Sequence, residues 1–594
     1  MPTLPLPVSA NTHRLYLGHL TAHSTRTSLT DVAPRHRNPL TLALLASLWI
    51  AGFANWPLWH ALLALPETST PHGMVFVLAF FGIVAALTFL LLAPFAWRWS
   101  IKPAITLFLL AAAAGAYFMG AYGVVIDSTM MLNVLHTDPR EVHDLISFPM
   151  LSNLLVLAGL PLYWLWRTPA APSAGWRQAG VNALGMAGAF IAMAVLVFAA
   201  YADLAATMRN HRTLRFLINP VNSFYALGTL AHEAGARRKG PLLPIGLDAQ
   251  IPVRAAGTKP PLLLLVVGET ARAQNFSLNG YARPTNPELQ KLGVTSFRNV
   301  SSCGTSTAAS LPCMFSHLGR DGFNARAADH EDLVDLLHRA GLAVLWLDNQ
   351  SGCKSLCDRI PHAQAGIAPD GKTLPSALCS KEECLDGALL HDLDARLAAL
   401  PAERRAKGVV LVMHQMGSHG PAYAQRSPPD RKPFLPECTT NVLQQCDRQQ
   451  LVNAYDNSIA YTDHVLAGGI AWLQKQTAAF EPSFVYMSDH GESLGENNLY
   501  LHGLPYALAP KEQTQVPFIV WMPPKAGERQ NAQLACLDSK RDQVLSHDHL
   551  FHTVLGLLDV SASEYRPQLD VTASCRTAVA RRPADTNSAK VARR

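Results

Sequence analysis

Residues 482–493 read "PSFVYMSDHGES". An apolar run of strand length stops abruptly at Asp489 and His490. Three other segments follow the same plan: "PLLLLVVGET" (261–270), "GLAVLWLDNQSG" (341–352) and "GVVLVMHQMGSHGP" (408–421). Short apolar runs that end in polar residues, separated by helix-like stretches such as 328–340 and 448–476, predict an α/β domain with a mostly parallel sheet. In such folds the ligand site lies outside the carboxyl ends of the strands. Here those ends carry Glu269, Asn349, His419, Asp489 and His490.

The chain before residue 202 is built differently. Five apolar runs, Pro39 to Leu65, Met74 to Trp97, Pro103 to Val125, Met150 to Trp166 and Gly180 to Tyr201, contain no Asp, Glu, Lys or Arg apart from their flanks. A bilayer core takes on the order of 20 apolar residues per helix, so these runs predict five transmembrane helices. The fourth is the shortest, and Pro161 interrupts it. Basic residues alternate between loops: Arg14, Arg26, Arg35 and Arg37 precede the first run, Arg98 and Lys102 follow the second, and Arg167 and Arg177 follow the fourth. The positive-inside rule then makes the N-terminus cytoplasmic and exports everything after Tyr201. The first span would act as an uncleaved export signal.

All ten cysteines lie in that exported part. Their spacing pairs Cys303 with Cys313, Cys353 with Cys357, Cys379 with Cys384 and Cys438 with Cys446, leaving Cys536 for Cys575. This is the pattern of a disulfide framework in an oxidising compartment. The net charge of +6 gathers in the N-terminal arm and the last residues. That suits a membrane surface and makes no case for nucleic acid. The expected order is a cytoplasmic arm (1–38), a five-helix membrane domain (39–201), an interfacial helix and linker (202–260), an exported catalytic domain (261–577) and a disordered tail (578–594).

A strand ending in Asp-His offers a hard and a borderline metal ligand side by side. With Glu269, His419 and His502 on other strand and loop ends, the set points to a divalent metal, zinc or manganese before magnesium. The stretch "SSCGTSTAASLPCMFS" (301–316) reads as a turn entering a helix. A hydroxyl there would face a positive helix end, and a neighbouring metal would make it a competent nucleophile. Which hydroxyl does so is open at this level.

The combination "GETARAQNFSLNGYARPTNPEL", "SCGTSTAASLPCMFS", "DNQSGCKSLCD", "GSHGP" and "SDHGESLGENNLYLHG" resembles the lipid A phosphoethanolamine transferases, a family that includes the mobile colistin resistance enzymes. The resemblance runs from about residue 39 to residue 575. It implies an alkaline-phosphatase/sulfatase-like periplasmic catalytic domain on an inner-membrane anchor, a zinc ion and a threonine nucleophile. By motif the nucleophile is Thr307, and the zinc ligands are Glu269, Thr307, Asp489 and His490. His419 and His502 match histidines placed around the substrate phosphate or a second zinc. Ser351 and Lys354 match substrate-binding positions, and Asn133, Thr137 and Glu141 match lipid-headgroup contacts. The implied donor is phosphatidylethanolamine and the implied acceptor a phosphate of lipid A. Acceptor identity is not legible in these motifs; the alternative reading is phosphoethanolamine transfer to another surface glycan or protein, or a related glycerophosphotransferase activity.

Overall fold

Why the four apolar runs lack alternation is plain from the fold. A computed structural model describes residues 36–580 apart from 138, 173–174, 237–239, 256, 381–382 and 525–527. Most of the basic arm and of the tail lies outside the described residues. The strands are β1 (Pro261–Gly268), β2 (Thr295–Phe297), β3 (Asn299–Ser301), β4 (Ala343–Asp348), β5 (His362–Gln364), β6 (Val409–His414), β7 (Glu481–Ser488), β8 (Ser493–Leu494), β9 (Tyr500–Leu501), β10 (Phe518–Trp521) and β11 (Val544–Ser546). Seven of them form one sheet in the order β2-β10-β7-β1-β6-β4-β5. The strands from β7 to β5 in that order are parallel, and β10 runs against both of its neighbours.

Each sheet face carries its own core. On β1, Leu263, Leu265 and Val267 face a core that includes Val412, Trp346 and Phe551. Leu262, Leu264 and Val266 face the other, with Leu411, Tyr486 and Leu466. A strand covered on both sides has no reason to alternate. The helix Arg448–Lys475 covers the second face, and the Asp447 carboxylate caps it by accepting from the Gln449 and Gln450 amides.

Register then decides what meets at the sheet edge. Gly268 pairs with Ser488, Val267 with His414, and Asp348 with the same His414. The four strands therefore stop together, and the residues that follow them, Glu269, Asn349, Gln415 and Asp489, share one edge.

Among the described residues before residue 202, four helices are long and apolar enough to cross a membrane: Pro71–Phe95, Ile101–Tyr122, Phe148–Arg167 and Gly175–Ala199. A fifth forms if Pro39–Gly52 and Trp56–Leu63, bent by 45°, count as one span. The break between those two is stitched by side chains. Asn55 Nδ2 donates to the Ile50 and Asn219 carbonyls, and the Asn219 amide donates back to Asn55 Oδ1 at 2.8 Å. Asn219 belongs to the segment after the spans, and it is buried against Gly115, where a Cβ would lie 2.6 Å from its Oδ1. The fourth span contains a π-helical turn over Leu155–Gly159, just ahead of Pro161. A proline ring displaces the carbonyl four residues back, and a widened turn absorbs that conflict without ending the helix.

The linker is helical as well, over Tyr201–Asn210 and Val221–Ala236. The second of these packs on the helix Ser128–Leu135, from the loop between the third and fourth spans. That helix in turn packs on Thr307–Met314 of the α/β domain. All ten cysteines form the five pairs expected from their spacing.

Candidate active site

The loop after β3 turns into the short helix Thr307–Met314, with Ser306 at its N-cap and Thr307 in its first position. The Cys303–Cys313 bridge closes this loop on its own helix. Of the hydroxyls in the turn, Thr305 Oγ1 donates away from the sheet edge, to the Leu504 carbonyl at 2.6 Å. Thr307 Oγ1 points to the edge and donates to Glu269 Oε2 at 3.0 Å. His490 Nε2 lies 3.5 Å from the same hydroxyl.

Around Thr307 stand Glu269, Asp489 and His490, all fully buried. His490 Nε2 is 3.3 Å from Glu269 Oε1 and 3.4 Å from Asp489 Oδ2. One donor atom from each of the three fits within a 4.8 Å cluster. Gly417 makes this approach possible, because at its φ of +56° a Cβ would sit 2.4 Å from the Glu269 carbonyl oxygen.

Two observations fit this cluster to a divalent cation. Asp489 Oδ1 accepts from the His490 and Thr270 amides, at 2.7 and 3.2 Å, while Oδ2 is buried with no hydrogen-bond partner among the described residues. His490 Nδ1 faces the Gly491 carbonyl at 2.9 Å, which only accepts, so Nδ1 carries the proton and Nε2 is left as a donor atom towards the cluster. The three groups also bias one another's protonation, and a cation would take the place of the proton that the two carboxylates favour on His490 Nε2. Burial and then the Glu269 charge push the Asp489 carboxyl up to about 6. Burial opposes charge on His490, but Asp489 and Glu269 overcome it and raise the imidazole to about 10. Burial likewise opposes ionisation of Glu269, yet hydrogen bonding and charge from His490 hold it well below the usual range. Two crowded carboxylates and an imidazole are a donor set suited to zinc. The other close group among the described residues, Cys353, Cys357 and Asp358, has its two sulfurs joined in a disulfide.

A hydrogen-bonded chain leads outward from Thr307. Gln350 Nε2 donates to Glu269 Oε2 at 2.8 Å, Ser351 Oγ donates to Gln350 Oε1 at 2.5 Å, and Lys354 Nζ donates to Ser351 Oγ at 3.0 Å. Lys354 and Ser355 both adopt left-handed backbone, with φ of +48° and +70°. Such residues cost on the order of 1–3 kcal/mol each and cluster at functional sites. The Cys353–Cys357 bridge spans this strained pair. The His502 ring lies 4.4 Å from that of His490 and 5.4 Å from that of His419. His502 Nδ1 pairs with Glu492 Oε1 at 3.3 Å, and burial raises the Glu492 carboxyl to about 8.

The fold thus brings Glu269, Thr307, Asp489, His490, His419, His502, Ser351 and Lys354 into one region. Asn349, a strand-end candidate, turns away to Asp386 and the Cys384 carbonyl. Asn133 lies on the membrane-side helix and Thr137 just past its end, where Thr137 Oγ1 donates to the Asn133 carbonyl. That helix reaches the site through the His136 carbonyl, 3.4 Å from Lys354 Nζ. The side chain of Glu141 lies outside the described residues. A cavity of about 850 Å³ opens between this helix, Val221–Ala236 and the catalytic domain, lined by Leu132, His136, Leu230, Pro312, Phe323 and Lys354 among others.

Sequence reading missed two members. Gln350 was in plain view in "DNQSG", one residue past the noted strand end. His547 had no local signal. Its Nδ1 accepts from the Cys303 amide at 3.0 Å, and its Nε2 donates to the Ser488 carbonyl at 2.9 Å, so it ties the threonine loop to the end of β7. Burial holds this imidazole down to about 3, against an ordinary 6.5. The folded state therefore stays neutral while an unfolded chain takes up a proton below about pH 6.5. Stability from His547 is full above that pH and drains as the pH falls towards 3, by about 2 kcal/mol between pH 7 and 5. Thermal unfolding of wild type and His547→Gln over that interval checks this. The variant should show the shallower loss, and an equal slope would remove His547 as its source.

A buried carboxylate–imidazole cluster facing a helix-borne hydroxyl, at the carboxyl edge of this sheet, defines a domain of the sulfatase type, and the sulfatase family model matches residues 261–560. The model described as phosphoethanolamine transferase EptA/EptB matches residues 84–234. The chain is 40% identical to phosphoethanolamine transferase EptA of Escherichia coli K12 over 553 residues, 91% of this chain and 97% of that protein. It is 37% identical to the E. coli phosphatidylethanolamine transferase Mcr-1 over 543 residues, 90% of this chain and 97% of that one. The structure matches the integral membrane lipooligosaccharide phosphoethanolamine transferase A of Neisseria meningitidis with a TM-score of 0.82 and 32% identity, covering 90% of this chain and 98% of that one. The chain belongs to the phosphoethanolamine transferase family.

Proposed function

We propose that this protein moves phosphoethanolamine from phosphatidylethanolamine to a phosphate of lipid A at the outer face of the bacterial inner membrane, through a phosphoethanolamine–Thr307 intermediate. The observation that carries this reading is the Thr307 hydroxyl, held on Glu269 inside a buried metal-type cluster. The domain that bears it is docked on apolar helices, with a cavity along the seam. Both substrates are lipids, which gives a hydrophilic domain a reason to be tethered.

Glu269, Thr307, Asp489 and His490 would hold zinc, which when bound supplies Lewis acidity that favours the alkoxide and offsets charge on the phosphoryl oxygens. Glu269 aims Oγ1 by accepting its hydrogen bond. Phosphatidylethanolamine presents its phosphorus, the Oγ1–P bond forms, and the bond to the glycerol oxygen breaks. His419 or His502 protonates that oxygen, and diacylglycerol leaves. Lys354, aligned by Ser351, binds a non-bridging oxygen. A lipid A phosphate oxygen then attacks from the side the glycerol oxygen vacated. The Oγ1–P bond breaks, Thr307 recovers from Glu269 the proton it passed along that hydrogen bond when it attacked, and the histidine regains its own from the acceptor phosphate's hydroxyl. Since both displacements are in line, the leaving and entering oxygens use the same face, and one histidine serves both. The product carries an added ammonium group, which lowers negative surface charge and weakens attraction for cationic polymyxins.

Mass spectrometry of lipid A from cells expressing the wild-type chain tests this reading. A phosphoethanolamine increment on lipid A is the expected result. An increment on a core sugar or a surface protein with lipid A unmodified would overturn the acceptor and keep the transfer chemistry.

A further inference from the structure

Arg426 is a buried arginine that the mechanism above does not use. Its side chain is 4% exposed, and its guanidinium ties its own loop to two segments distant in sequence. Nε donates to the His419 carbonyl at 2.9 Å. Nη1 donates to Glu383 Oε2 at 2.5 Å, next to the Cys379–Cys384 bridge. Nη2 donates to Asp144 Oδ2 at 3.0 Å, and Asp144 lies on the helix Pro139–Leu145, in the loop between the third and fourth spans. The backbone of Asp144 is held from the same side, its carbonyl accepting from Asn441 Nδ2 at 2.9 Å.

Taking a guanidinium and a carboxylate out of water costs several kcal/mol per ion, recovered only with near-ideal partners. Here those partners are divided between the two halves of the molecule. The guanidinium is rigid and planar, so the direction of Nη2 fixes that of Nε. The position of Asp144 therefore sets the position of the His419 carbonyl, and with it the ring that faces His502.

We infer that Arg426 is a positioning residue that seats His419 against the membrane-side loop through Asp144, so that proton transfer at the site depends on docking of the two halves. This rests on the reading of His419 as a group that handles the leaving-group proton. The apparatus would be complete only where the catalytic domain is seated on its own membrane loop, the same loop that carries Asn133 and Thr137.

The test uses the full chain in membranes with phosphatidylethanolamine as donor, comparing Arg426→Lys and the isosteric Asp144→Asn, each with His419 intact and in a His419→Ala background. With His419 present, each change should lower kcat about 10- to 100-fold, as misplacement by about 1 Å does, and leave the donor KM within about two-fold. In the His419→Ala background neither change should lower turnover further. A purely structural role would lower it equally in both backgrounds, and that result overturns the proposal. Unchanged kcat in Asp144→Asn overturns it too, and leaves the proposed function standing if His419→Ala alone is impaired. If His419→Ala is unimpaired, the reading of His419 falls and the proposal falls with it. Asp144→Asn keeps size and shape, so the comparison holds even if Arg426→Lys folds poorly.

Discussion

Thr307→Ala is expected to abolish phosphoethanolamine transfer while the protein stays inserted with its five disulfides intact. On the proposed mechanism, losing the attacking oxygen removes the covalent route outright, and such losses run to about 10³-fold or more. The fold has little reason to suffer. Thr307 makes its hydrogen bond to Glu269, a carboxylate that keeps Gln350 and Thr270 as donors. The control is Thr305→Ala. Thr305 Oγ1 donates to the Leu504 carbonyl, so its loss should cost about 1 kcal/mol of stability and change transfer only a few-fold. Lipid A mass spectra from both variants, normalised to membrane-inserted protein, decide between them. Reversed phenotypes would move the nucleophile to Thr305.

Glu269→Gln is expected to be nearly as severe, through the proposed zinc site. Glu269 Oε2 accepts from both Thr307 Oγ1 and Gln350 Nε2. An amide keeps the volume but removes a negative charge from a cluster that has two. It either turns an NH₂ group on those two donors or presents it to the cation. Purified Glu269→Gln should hold well under one equivalent of zinc, and its turnover should fall by about 10³-fold. Metal analysis alongside activity separates the explanations. Full zinc with lost turnover would restrict Glu269 to aiming the hydroxyl. Full zinc with full turnover would place the metal elsewhere.

The parts of the molecule legible from sequence are those set by short-range pattern. The four central strands were readable because a strand buried on both faces is an unbroken apolar run, and their polar ends were readable because the runs stop there. The spans followed from length and lack of charge. The exception is the first, whose bend depends on Asn219, a residue 164 positions away from Asn55. The five cysteine pairs were readable because four close short loops and the fifth pair is what remains. None of these readings needs to know how the chain folds back on itself.

The site required more. Thr305 and Thr307 are two residues apart with the same side chain, and residue type alone cannot say which hydroxyl faces Glu269. The resemblance selected Thr307. The physical difference between the two arises from the turn into the helix, which sends one oxygen to the Leu504 carbonyl and the other to the sheet edge. His547 bridges Cys303 across 244 positions, and Arg426 meets Asp144 across 282. Such contacts leave no periodicity or spacing behind. What the sequence determined alone was which residues end strands, cross the membrane and pair as cysteines, because backbone pattern and burial act locally. Which hydroxyl is aimed, what holds it, and how the membrane loop reaches His419 were decided only when parallel register and docking of the two halves brought distant segments within hydrogen-bond distance.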